Sequence, residues 1–239
     1  MNPFSFILGL LALFSFNQSE DLNQKFNTSQ LIVVTTDNWN KIEGKMAVYE
    51  YSDNKWKLVM DNIAIVTGRS GMAWAKGLHS NKLNTGILKK EGDGNSPAGI
   101  FHLSGLFGYQ DIQSKMNSIK VNERTFCVDD SKSVYYNQIV STDTLKKDWN
   151  SAETMLMKSD AYKFGIFVDY NVNPSIAQDG SCIFMHIWSG SDSPTAGCTA
   201  MKETDIKKLI DFLDKSKNPI LVQAPRSAYE KLKRIYKLP

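Results

Sequence analysis

The stretch from Cys182 to Met201 constrains this chain most. Cys182 to Trp188 is an apolar run broken only by His186, and a run of that length between turn formers reads as a buried strand. Strands alternate their faces, so Cys182, Phe184, His186 and Trp188 point one way and Ile183, Met185 and Ile187 the other. Gly190 to Pro194 are turn and loop formers, and the chain returns at Thr195-Ala196-Gly197-Cys198. A histidine on a strand and a cysteine a dozen positions later, across a tight loop, can be brought side by side. That arrangement supplies a nucleophile and its base. A free thiol ionises near pH 8.5 and an adjacent imidazole lowers that value, while histidine's own pKa lies close to working pH. Gly197 lets a carbonyl approach the backbone, where the amides of Gly197 and Cys198 would serve as oxyanion donors. The competing reading is a packed strand histidine and an inert buried cysteine.

His186, the loop and Thr195-Ala196-Gly197-Cys198 resemble the active-site signature of the L,D-transpeptidase (YkuD-type) catalytic domain family. Ser96-Pro97-Ala98-Gly99-Ile100-Phe101 is similar to a second motif of that family, and the likeness extends loosely from about Leu31 to Pro225. The chain departs from the family in its short loop after His186 and in Ala200, which stands where an arginine or asparagine is usual. The resemblance implies a mainly β, sandwich-like catalytic domain with peripheral helices and a Cys198 thioester on peptidoglycan stem peptides. It implies L,D-transpeptidation without metal or other cofactor, with a backbone carbonyl orienting His186. Its alternatives are an L,D-carboxypeptidase using the same acyl-enzyme and a wall-binding module without turnover. On this reading Cys198, His186 and Gly197 are catalytic. Thr195, Trp188, Arg69 and Tyr109 contact substrate, and Arg69, Arg124 or a backbone donor replaces the missing residue at Ala200.

The 239 residues, 42% hydrophobic and 22% charged, suit one globular domain with an N-terminal extension. A net charge of +3, spread evenly, excludes an electrostatic nucleic-acid surface. Phe4 to Phe16 is apolar but too short for a comfortable membrane span, and it reads as the core of a signal peptide or an uncleaved anchor. The expected division is therefore 1–19 signal or hydrophobic segment, 20–30 linker and 31–239 catalytic domain. The expected location is the periplasm or cell envelope, with membrane proximity only through the N-terminal segment and a monomeric chain.

Further along, a hairpin is expected at Met46–Tyr51 and Trp56–Met60, with a separate strand from Asn62. Arg69 to Trp74 reads as an exposed turn in preference to a cleft lining. Phe126 to Val128 reads as a short strand ending in Asp129 and Asp130, whose side chains face opposite ways. Ser133 to Asn137 is expected in a cleft wall. Leu145, Trp149, Ala152, Met155 and Leu156 fall at helical spacing and predict a helix over 142–158, with further helices over 202–215 and 227–238. His79 and His102 read as surface or satisfied core. Three cysteines leave one thiol unpaired in an exported protein. Cys198 is that candidate, with Cys127 and Cys182 either bridged or both buried thiols. Zinc held by Cys182, His186 and Cys198 is discounted, since strand residues four apart lie about 13 Å from each other.

Overall fold

The computed structural model describes residues 20–239; the apolar segment Phe4 to Phe16, read as an export signal, lies outside the described residues. In chain order the elements are α1 (Leu22–Phe26), β1 (Gln30–Thr36), β2 (Glu43–Ser52), β3 (Lys55–Val66), β4 (Met72–Trp74) and β5 (Ser96–Gly108). Next come β6 (Ser118–Lys120), β7 (Thr125–Val128), β8 (Ile139–Ser141), β9 (Ala152–Thr154), β10 (Phe164–Val168) and β11 (Phe184–Ile187). The chain ends with β12 (Thr199–Met201), α2 (Glu203–Phe212), β13 (Ile220–Pro225) and α3 (Arg226–Tyr236). The protein is mainly β, as expected.

The principal sheet runs β10-β11-β12-β3-β2-β1-β13-β5. Its thirteen-residue strand β5 pairs with β13 through Gly99–His102 and with β10 through Leu103–Gly108. The pairing therefore closes on itself, and the layers facing each other across the core are parts of one sheet. The turn between β2 and β3 places Asp53 and Asn54 at φ 51° and 59°, the left-handed pair that a tight hairpin requires and that these residue types tolerate. The break expected before Asn62 does not occur. β3 runs on through it, because Asn62 takes φ 56° and the register against β2 slips locally, as at a β-bulge. Met72 to Trp74 is no exposed turn either: β4 pairs in parallel with the start of β5, and all three residues are buried.

The expected helix over 142–158 is absent. Its apolar residues serve different places: Trp149 packs with Val128 and Val140, and Met155 joins the cluster containing Cys198. Asp143 pairs with Arg124. The region between β5 and β10 is a cap in which β7 lies between β8 and β9. The other two expected helices are present as α2 and α3; Ile206, Leu209 and Ile210 of α2 and Tyr229, Leu232 and Tyr236 of α3 join the main core. His79 is a satisfied core histidine, its Nδ1 accepting from the Ile100 amide at 3.3 Å and its Nε2 on Asn84 Oδ1 at 2.8 Å.

Beneath the cap, Phe107 meets Tyr162 edge-on at 5.4 Å and Phe184 at 5.1 Å. Gly165, opposite His186 in the ladder, makes room for that ring, since a Cβ there would stand 2.0 Å from Phe107 Cζ. Gly165→Ala is expected to overpack the cluster and destabilise the protein by about 1–3 kcal/mol. A urea unfolding curve would show this as a lower midpoint with unchanged slope. An unshifted midpoint would mean that Phe107 relaxes without cost.

Candidate active site

Strands β11 and β12 run parallel, with His186 opposite Ala200. Cys198 lies two positions before Ala200, so period two puts it on the His186 face, level with Phe184. The expected strand over Cys182–Trp188 is shorter, since β11 covers only Phe184–Ile187 and Cys182 stands before it at φ 56°; within it the alternation holds, with Phe184 in the Cys198 cluster and Met185 and Ile187 in the main core. Two hydroxyls pin the backbone at the cysteine. Thr195 Oγ1 donates to the Cys198 carbonyl at 2.6 Å, and Ser96 Oγ does so at 3.1 Å. Ser96 is itself held by the Gly68 amide at 2.8 Å, which explains locally why a serine stands before Pro97.

Thr195 also accepts from the Gly197 amide at 3.1 Å. Two expectations change. Thr195 secures the loop at Cys198 by local side-chain-to-backbone bonds, and the Gly197 amide, read as an oxyanion donor, is already committed. Thr195→Val should therefore cost about 1–3 kcal/mol, the range for leaving buried partners unpaired, while Thr195→Ser should restore most of it. Thermal melts of the two variants decide the point; equal melting of valine and wild type would remove the pinning role.

Cys127 and Cys182 form a disulfide, tying β7 of the cap to the residues entering β11, and Cys198 is the free, buried thiol. Its sulfur accepts from the Phe184 amide at 3.3 Å and faces the Cys182 carbonyl at 3.5 Å. Burial first, and the charge of Glu153 second, push the thiol well above its ordinary pKa. Burial also lowers the pKa of His186. Its Nδ1 lies 2.8 Å from the Ile187 carbonyl, so this nitrogen carries the hydrogen and Nε2 is left as the basic one. Among the described residues the thiol and imidazole share no hydrogen bond. The expected lowering of the thiol pKa by His186 is thus reversed in the free protein, which holds a neutral thiol and a neutral imidazole. Catalytic hydrogen bonds that are long in a free enzyme often tighten only around substrate.

A cavity of about 180 Å³ opens over the sulfur, lined by Arg69, Lys89, Glu91, Asp129, Glu153 and the segments 181–183 and 196–198. Of the four residues expected to contact substrate, Arg69 alone lines it. Trp188 follows β11 and donates its amide to the Met201 carbonyl. Tyr109 lies behind the site, its hydroxyl bonded to the Ser159 carbonyl at 2.7 Å and the Tyr162 amide at 3.3 Å, and it lines a separate cavity with Arg124. Ser133, Val134, Tyr136 and Asn137 do form a wall, but of a larger cavity of about 710 Å³ that shares no lining residue with the thiol cavity. Asp129 and Asp130 diverge as expected: Asp129 faces the thiol cavity, and Asp130 accepts from Asn150 and Lys132 amides.

Sequence reading missed Glu153 and Tyr162. The Tyr162 phenol donates to Glu153 Oε2 at 3.0 Å, and its ring meets that of His186 edge-on at 5.3 Å. Burial, then Asp129 and Glu91, raise the Glu153 carboxyl to about 7 against the pull of the Tyr162 hydrogen bond. No spacing marks either residue.

Comparison with known proteins yields a family match and two structural likenesses. The model of the L,D-transpeptidase catalytic domain, YkuD, matches residues 32–222. The structure is similar to crystal structures of the helical cell shape determining protein Pgp2 from Campylobacter jejuni. Its K307A mutant is 15% identical with a TM-score of 0.40, covering 87% of this chain and 48% of that one. A second Pgp2 structure is 17% identical with a TM-score of 0.39, covering 82% and 48%. The chain thus spans about half the length of those proteins. No curated protein sequence matches it.

Proposed function

The chain belongs to the L,D-transpeptidase (YkuD) catalytic domain family, a cell-wall enzyme family, and from that premise we propose that it is an exported cysteine acyltransferase of peptidoglycan stem peptides. The observation that carries this reading is the free Cys198 thiol at the base of a cavity, on the same strand face as His186. The sulfur attacks the carbonyl on the L side of an L,D peptide bond, commonly meso-diaminopimelate joined to D-Ala. His186 takes the thiol proton through Nε2 and returns it to the leaving D-Ala amine, while its Nδ1 bond to Ile187 fixes the ring. With the Gly197 amide engaged by Thr195, the Cys198 amide is the oxyanion donor of this scheme. In this scheme Arg69, which lines the cavity, holds an anionic substrate group. A second amine then resolves the thioester.

One observation favours the second reading, in which water resolves it. Arg69, Gly92 and Ala196, which line the cavity, are exposed, which leaves its rim open to solvent. Purified protein with a disaccharide-tetrapeptide and an added D-amino acid distinguishes the two by product mass. Cross-linked dimer or exchanged terminal residue supports transfer; tripeptide alone in excess amine means hydrolysis. An unchanged substrate would remove both.

A further inference from the structure

Three elements meet at the thiol: β12 begins just after Cys198, β9 carries Glu153, and the turn before β10 carries Tyr162. Tyr162 is 3% exposed and packs in the same cluster as Cys198. Its hydroxyl bonds Glu153 Oε2, its ring abuts His186, and Glu153 lines the same cavity as Cys198. We propose that Glu153, acting through the Tyr162 phenol, is a positioning residue that sets the proton state of the Cys198 thiol. The proposal rests on Cys198 being the nucleophile.

A phenol has a single proton and serves one acceptor at a time. With Glu153 ionised, that proton is given to the carboxylate, and the sulfur faces a nearby negative charge without a phenolic donor. With Glu153 protonated, the carboxylic acid donates to the phenol oxygen, and the phenol proton turns to the sulfur. A thiolate then gains a donor and loses a repelling neighbour.

The groups around Glu153 all bear on where this change falls. Asp129 and Glu91 resist its ionisation, as does burial, so that it titrates at about 7. Glu91 is held by the hydroxyls of Tyr136 and Ser181. Lys89 lines the same cavity, but its ammonium is engaged at 2.7 Å by both Asp93 and the Lys90 carbonyl. Arg69 lies at the rim, 3.5 Å from the Gly92 carbonyl. His186 is neutral at this pH, its pKa lowered by burial.

The test is the rate of Cys198 alkylation by iodoacetamide between pH 5 and 10, on the full chain with its disulfide intact. In the wild type the rise with pH should flatten above about pH 7, as ionised Glu153 suppresses the thiolate. In Glu153→Gln the flattening should vanish and alkylation at pH 8 should be about tenfold faster, the equivalent of one unit in thiol pKa. In Tyr162→Phe alkylation should slow most below pH 7, where the phenol serves the sulfur. His186→Ala should keep the flattening, which excludes imidazole as its source. A purely structural role would scale the rates alike at every pH. Superimposable profiles for wild type and Glu153→Gln, or a break that survives in Glu153→Gln, would overturn the proposal. Should that variant misfold, a wild-type and His186→Ala profile without a break near pH 7 overturns it equally. Alkylation needs no muropeptide, so a failure of the cell-wall reaction leaves this readout intact, and the reverse also holds.

Discussion

Cys198→Ser is expected to keep the fold and to lower muropeptide turnover by at least about 10³-fold, the scale seen when a nucleophile is removed from its catalytic unit. Serine fits the volume at this buried position, yet its hydroxyl is a far weaker acid than the thiol it replaces. His186→Ala should cost about 10²–10⁴-fold, the range for a lost general base. The pH dependence carries a sign. Burial depresses the imidazole pKa, so the basic form persists below the usual 6.5, and the acid limb of the rate profile should lie under that value. Burial and Glu153 raise the thiol, so neutral-pH alkylation of the free protein should be slow beside an exposed cysteine. Product mass spectrometry gives the turnover. A serine variant within tenfold of wild type would remove Cys198 from the chemistry.

The second large effect concerns the cap. The Cys127–Cys182 bridge closes a loop of sequence separation 55, and reducing it should cost about 4 kcal/mol on the chain-entropy account. Cys182 also lines the thiol cavity, so Cys127→Ala/Cys182→Ala should lose activity beyond what its stability predicts. Urea curves of oxidised and reduced protein give the first quantity, and turnover well below the unfolding range gives the second. Denatured, unreduced protein should show one thiol. Three thiols, or a stability change under about 1 kcal/mol, would refute this.

What could be read from the sequence follows from short-range periodicity. The faces of Phe184 to Ile187, the Asp53-Asn54 turn and the buried sides of α2 and α3 depend on neighbours a few residues apart. The cap does not. Leu145, Trp149 and Met155 imitate a helix because three- and four-residue spacings also arise when a chain feeds separate clusters in turn, as Trp149 and Met155 do here. β4 resembles a glycine-bounded turn because its partner, the start of β5, lies more than twenty residues on. Glu153 and Tyr162 escape for the same reason: only pairing across the cap delivers them to the sulfur. The direction of the thiol's pKa is a property of burial, which no spacing encodes.

The closed sheet also dictates when the molecule can come into being. β1 is flanked by β2 on one side and, in parallel, by β13 on the other, with Leu31 opposite Ile220. That second partner is synthesised long after β1, and β5 needs β13 and β10 together to complete its own ladder. An emerging chain therefore carries an unpaired, apolar β1 edge until β13 has emerged. Contacts this distant in sequence slow folding and leave strand edges exposed to other chains meanwhile. A ribosome-bound fragment ending before Ile220 should thus remain open and prone to association, whatever the state of its thiols.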